Sequence, residues 1–178
     1  NTLNAISTLV LEKRNEQAES MLLKLAGFLR YSLDRQPTEL AALSAELEAQ
    51  RKYLEIERTR FDDKLKVSFS IESGLESVPL PSLILQPIME NAIKYAISPR
   101  TEGGAIDVSA FRDGDLLRIR IDDDGPGLSP EGDPRRRRGV GLANARERLE
   151  LIYGERAGLS AQNRAPNGCR VEIWLPLE

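Results

Sequence analysis

The chain contains no histidine. That absence removes imidazole general bases, the Ser-His-Asp arrangement and most zinc sites at once. A single cysteine, Cys169, excludes an internal disulfide framework and fits a reducing compartment. No apolar run approaches the length of a membrane span, and no signal peptide opens the chain. No P-loop pattern occurs, which disfavours a Walker-type NTPase. The net charge of -3 argues against a nucleic-acid partner. What remains is 178 residues, 40% of them hydrophobic, enough for one core and a small accessory element. The chain starts inside a helical pattern, NTLNAISTLVLEK, without an initiator methionine, and so reads as part of a longer protein.

Two halves differ in texture. Up to about Arg35 the pattern is helical: Leu3, Ile6, Leu9 and Val10 mark one apolar face. A polar break at residues 13–16 follows. A second stripe then runs through Ala18, Leu22, Leu25, Leu29 and Ser32 in steps of three and four. Its narrow seam is that of a coiled coil or bundle. Gln36-Pro37 punctuates the chain, and a domain boundary is placed there, between residues 1–37 and 38–178.

Beyond Pro37 the pattern is mixed. A helix is expected from Ser44 to about Arg60, then a half-buried strand through Val67, Phe69 and Ile71. Pro81-Ser82 opens a helix carrying LILQPIMENAIKYAI, in which Pro87 implies a kink or a staggered start. Two strands, Ile106–Ala110 and Leu117–Ile121, flank a hairpin turn at Asp113-Gly114. Residues 123–141 read as a loop. A helix is expected over 141–153 with Leu142, Ala145, Leu149 and Ile152 on one face, and two strands end the chain.

Three segments carry chemistry: ENAIKYA at 90–96, DDGPG at 123–127 and RRGVGLANARERL at 137–149. A carboxylate at a strand end, Asp123, can accept a hydrogen bond from an amino group, and Gly125 and Gly127 let the backbone approach a ligand closely. A solvated acidic turn would use the same residue types. The three aspartates in series, Asp122, Asp123 and Asp124, make a poor metal site because neighbouring strand residues point to opposite faces. Gly139, Val140, Gly141, Leu142 and Asn144 open a helix, whose exposed N–H groups favour anions. Arg137 and Arg138 end a basic run that a solvated loop could equally carry. Asn91 offers a helical side-chain carbonyl, the hard oxygen that Mg²⁺ prefers, or simply a buried amide on an amphipathic helix.

In this order the three segments resemble the ATP-binding domain shared by histidine kinases, type II topoisomerases, Hsp90 and MutL. The wording is most similar to the LytS-like sensor histidine kinases. NTLNAIS resembles the end of that family's phospho-acceptor motif and LLKLAGFLRYSL its following helix, so the likeness spans essentially the whole chain. The resemblance implies an α+β fold: a Bergerat-type ATP-binding α/β sandwich, a mixed sheet with helices on one face, preceded by a helical hairpin that dimerises into a four-helix bundle. It implies ATP and Mg²⁺ as cofactors. Asp123 would anchor adenine, Asn91 would hold Mg²⁺, and Lys94 would reach a phosphate from the same helix face. Tyr95 would sit near the base or ribose, and the residues 137–144 would surround the phosphates.

Two departures bear on chemistry. Relatives that hydrolyse ATP carry a glutamate four residues before the metal asparagine; Pro87 stands there, and Glu90 points elsewhere on the helix. Cys169 occupies a position where the family often has threonine, and a thiol hydrogen-bonds poorly. The expected activity is therefore phosphoryl transfer to a histidine a few residues before Asn1, then to a response regulator. The chain would be the cytoplasmic portion of a bacterial inner-membrane sensor, reaching the membrane only through upstream segments. An ATP-binding scaffold or an anti-sigma-type serine kinase are the competing readings.

Overall fold

The computed structural model describes residues 2–33, 39–61, 64–128 and 140–177. Two helices come first, α1 (Thr2–Leu11) and α2 (Asn15–Leu33). The chain reverses between them at Lys13, whose φ is 60°. Ile6 and Leu9 of α1 and Ala18 and Met21 of α2 form a small cluster with Ile56 of a third helix, α3 (Leu43–Phe61). The stripe read from the sequence is therefore rotated. Met21, Leu25 and Phe28 turn inward, while Leu22 and Leu29 remain 49% and 46% exposed. The cause is α3, which draws Phe28 against its own Tyr53 at a ring separation of 5.5 Å.

Strand β1 (Leu40–Ala42) pairs antiparallel with β3 (Pro79–Pro81) in a short ribbon that the sequence pattern does not reveal. Three-residue strands carry no readable alternation, and the two prolines remove ladder donors. The main sheet has five strands in the order β2-β4-β5-β7-β6. They are β2 (Leu65–Ile71), β4 (Gly104–Asp113), β5 (Leu116–Asp123), β6 (Gly158–Asn163) and β7 (Cys169–Pro176). Only the β2–β4 pair is parallel. The β4–β5 hairpin turns at Gly114, whose φ of 60° suits a residue without Cβ.

One face of this sheet is apolar. Ile106, Val108, Leu117, Ile119, Ile121, Ile173 and Leu175 are buried there against α3, α4 (Gln86–Ala92) and α5 (Val140–Tyr153). The opposite face alternates to polar residues, as a half-solvated antiparallel sheet requires. Arg118 and Arg120 both bond Glu172 there, and Arg170 grips Asp122 with two bonds of 2.7 and 2.6 Å. The expected mixed sheet with helices on one face and helices in front is what the chain forms.

Helix α4 departs from expectation in two ways. It starts at Gln86, not at Pro81-Ser82, because Pro79–Pro81 is drawn into β3. Pro87 thus lies in the first turn, where its missing N–H costs nothing. From Ile93 to Ile97 the helix widens into a π-turn. The extra residue per turn rotates everything after Asn91, so α-helical spacing no longer says which residues share a face.

Candidate functional site

Strand β5 ends at Asp123, directly opposite Cys169 on β7 and Ile106 on β4. The three successive aspartates go to three places. Asp122 pairs with Arg170 on the polar face. Asp124 accepts from Arg100 at 2.8 Å and from the Ala105 amide at 2.9 Å. Asp123 alone turns toward the helices. Its Oδ1 accepts the Gly125 amide at 2.9 Å and the Cys169 amide at 3.2 Å. Its Oδ2 receives no hydrogen bond among the described residues. Burial pushes this carboxyl above the usual carboxylate range, with the neighbouring Asp124 charge adding to the rise; the two amides and the Arg164 charge work against them.

The turn after Asp123 is built close to the helices. A Cβ on Gly125 would lie 2.4 Å from that of Ala96, so glycine is what lets the turn seat against the π-turn. Gly127 has φ 77°, and a Cβ there would lie 2.6 Å from Asn163 Oδ1. The same Asn163 oxygen accepts the Leu128 amide and fixes the way out of the turn.

Above Asp123 lies a narrow cavity of about 40 Å³ between sheet and helices. Asn91, Tyr95, Asp123 and Leu142 line it together with Leu128 and Cys169. Four residues singled out from sequence motifs thus meet, although they are far apart in the chain. Others take different places. Lys94 is exposed, with its Nζ 5.0 Å from the centre of the Tyr95 ring. Val140 and Asn144 are exposed on the first turns of α5. Gly141 lies where α5 meets α4: a Cβ there would come 3.0 Å from that of Pro87. Arg137, Arg138 and Gly139 lie outside the described residues. A larger open groove of about 680 Å³, lined in part by Arg14, Lys24, Arg58 and Lys66, sits elsewhere and shares none of these residues.

Sequence reasoning missed the apolar walls, Ile88, Ile121, Ala161 and Val171, and also Asn163. The walls were detectable in principle, since Ala161 and Val171 fall on the apolar phase of their strands. Asn163 carried no signal.

Residues 77–178 match the family described as histidine kinase-, DNA gyrase B- and HSP90-like ATPase. The chain belongs to this ATPase family. Residues 1–65 match a second family, described as histidine kinase. Among curated relatives, the sensor histidine kinase YesM of Bacillus subtilis is 34% identical over 99% of this chain and 30% of its own length. The sensor protein LytS of Staphylococcus haemolyticus is 32% identical over 99% of this chain and 31% of its length. The chain thus spans about a third of these relatives. The solved structure of histidine kinase ThkA in complex with the response regulator protein TrrA superposes with a TM-score of 0.57 at 14% identity. That match covers 100% of this chain and 58% of that one. The resemblance to LytS-like kinases holds, and the ATPase-family fold is of the kind that uses ATP. Among the described residues no helix is long and apolar enough to cross a membrane.

Proposed function

We propose that the cavity between Asp123 and helices α4 and α5 binds the adenine of ATP, and that the chain is the catalytic portion of a sensor histidine kinase. One observation carries this reading. Asp123 is a half-buried carboxylate with one oxygen held by two backbone amides and the other left to the cavity. Such an oxygen matches the exocyclic amino group of adenine and mismatches guanine, which presents an acceptor there. Tyr95 and Leu142 offer the flat and apolar surfaces a purine needs. The cavity has little more than the roughly 30 Å³ of one water molecule. Entry of a purine therefore requires the Leu128 or Leu142 side chain to swing aside.

Asn91 fits a Mg²⁺ site, since its amide carbonyl lines the cavity and Mg²⁺ prefers hard oxygen ligands. Mg²⁺ bound there would neutralise phosphate charge. Lys94, beside Tyr95 on the solvent side, brings a cation to the same phosphates, and the α5 N-terminus adds its dipole. With Pro87 on α4 and Glu90 exposed and bonded to Gln86 at 2.7 Å, no carboxylate of α4 is placed to activate water. The γ-phosphoryl would pass instead to a histidine upstream of this chain, and then to a response regulator.

Residues 1–37 would serve dimerisation and phosphotransfer, and residues 38–178 catalysis. Helix α3 joins the two, giving Ile56 to the first cluster and Leu43, Leu47 and Leu54 to the second. The exposed Leu3, Leu11, Leu22, Leu29 and Leu33 suit burial against a second copy in a four-helix bundle. The full-length protein would be an inner-membrane sensor with this portion in the cytoplasm. Calorimetry tests the central point: ATP binds and GTP binds far more weakly. Equal affinity for the two nucleotides would overturn the adenine assignment.

A further inference from the structure

Helix α4 begins after an irregular turn that is held from two sides. Leu83 has φ 60°, a left-handed conformation that crowds the Cβ of any residue but glycine. The peptide unit just before it is gripped at both ends. The Ser82 carbonyl accepts a hydrogen bond from Arg148 Nη2 at 2.8 Å, and the Leu83 amide donates to Glu46 Oε1 at 2.7 Å. Arg148 belongs to α5 and Glu46 to α3. A cation on the carbonyl and a carboxylate on the amide both follow the peptide dipole. These two charge-assisted bonds hold the plane in the orientation that the strained Leu83 demands.

The same Glu46 oxygen accepts the Tyr31 hydroxyl of α2 at 3.0 Å. One peptide thus connects α2, α3, α4 and α5. Its surroundings are not fully satisfied. Gln50, one turn along α3 from Glu46, is completely buried, yet neither its Oε1 nor its Nε2 has a hydrogen-bond partner among the described residues. A buried amide unpaired at both ends is costly, so this junction has something to gain from a second arrangement. Burial also pushes the Glu46 carboxyl up, against the Leu83 and Leu85 amides, the Tyr31 hydroxyl and the Arg148 charge that hold it down.

We propose that the Ser82–Leu83 peptide, clamped between Glu46 and Arg148, is the joint that couples occupancy of the α4–α5 cavity to helix α2. The inference rests on the nucleotide reading of that cavity. Asn91 follows Leu83 on the same helix, and Arg148 follows Gly141 by two turns on α5. A purine that displaces Leu128 or Leu142 shifts α5 against α4. Arg148 moves with α5, while the Ser82 carbonyl is anchored at the start of α4. Their relative motion turns the peptide, and Glu46, which holds Leu83 and Tyr31 through one oxygen, must yield at one of them. Glu46 and Arg148 are positioning residues in this scheme and touch no ligand.

The test uses hydrogen–deuterium exchange of the full 178-residue chain with and without β,γ-imido-ATP and Mg²⁺. Saturating nucleotide should change exchange of the C-terminal turns of α2 by about fivefold or more. Tyr31→Phe removes only the hydroxyl and should abolish that response while nucleotide affinity stays unchanged. Leu83→Gly accepts φ 60° without strain and should uncouple α2 in the same way. An α2 response that persists in both variants, or is missing from the unsubstituted chain with nucleotide bound, overturns the coupling. An unsubstituted chain that binds no nucleotide overturns the cavity reading itself, and the coupling with it.

Discussion

Replacing Asp123 with asparagine separates the charge of the adenine-facing side chain from its shape. The amide keeps an oxygen for the Gly125 and Cys169 amides, which hold Oδ1 at 2.9 and 3.2 Å, so the turn should survive. The other end becomes an N–H donor where adenine also presents a donor. Loss of a hydrogen bond to a charged group costs about 1.5–3 kcal/mol. That is roughly a ten- to hundredfold drop in ATP affinity. GTP, with an acceptor at the matching position, should lose less, so the ratio of the two affinities should narrow. Stability should move the other way. Burial raises the Asp123 carboxyl, so the folded chain binds its proton more tightly than the unfolded chain. Between the ordinary carboxylate value and the raised one, this group's contribution to stability therefore falls as pH rises. The asparagine variant lacks that slope. It should melt higher than the unsubstituted chain near neutral pH, and the gap should close as pH falls through the raised value. Titration calorimetry with ATP and GTP, together with melting curves across pH, reads both effects. Unchanged ATP affinity in a folded variant would refute the role assigned to Asp123.

Asn91→Ala should weaken binding of Mg²⁺-ATP more than binding of metal-free ATP, since only the former uses the side-chain oxygen; equal losses in a fluorescence titration would make Asn91 structural. Gly168→Ala should lower stability by at least about 1–3 kcal/mol in chemical denaturation. Its φ is 107°, and a Cβ would lie 2.0 Å from the Asp123 carbonyl oxygen, so an unchanged midpoint would contradict the packing of the β5 end against the β6–β7 turn. Leu22→Glu combined with Leu29→Glu should give a monomer in sedimentation at concentrations where the unsubstituted chain is a dimer, because both side chains are about half exposed on α2. A dimer that survives would move the interface elsewhere.

Much of the fold is local and so was readable along the chain. Strand alternation at Ile106–Ala110 and Leu117–Ile121, the Asp113-Gly114 turn and the helix over residues 43–61 each follow from a period or a turn residue that acts within a few positions. The nucleotide residues were legible for a related reason: glycines and a strand-end carboxylate are chosen by backbone geometry at their own positions. What the chain by itself did not decide was every feature set by a distant partner. Pro79–Pro81 becomes a strand only because β1 lies beside it. Met21 and Phe28 of α2 face inward only because α3 supplies Ile56 and Tyr53. The π-turn at Ile93–Ile97 breaks the spacing that placed Lys94 beside Asn91. Asn163 and the clamp of Glu46 and Arg148 on the Ser82–Leu83 peptide join residues from separate elements, and no periodicity encodes such a meeting. Local propensity selects which elements form, whereas burial and hydrogen-bond satisfaction are properties of the assembled molecule and are settled only when the elements meet.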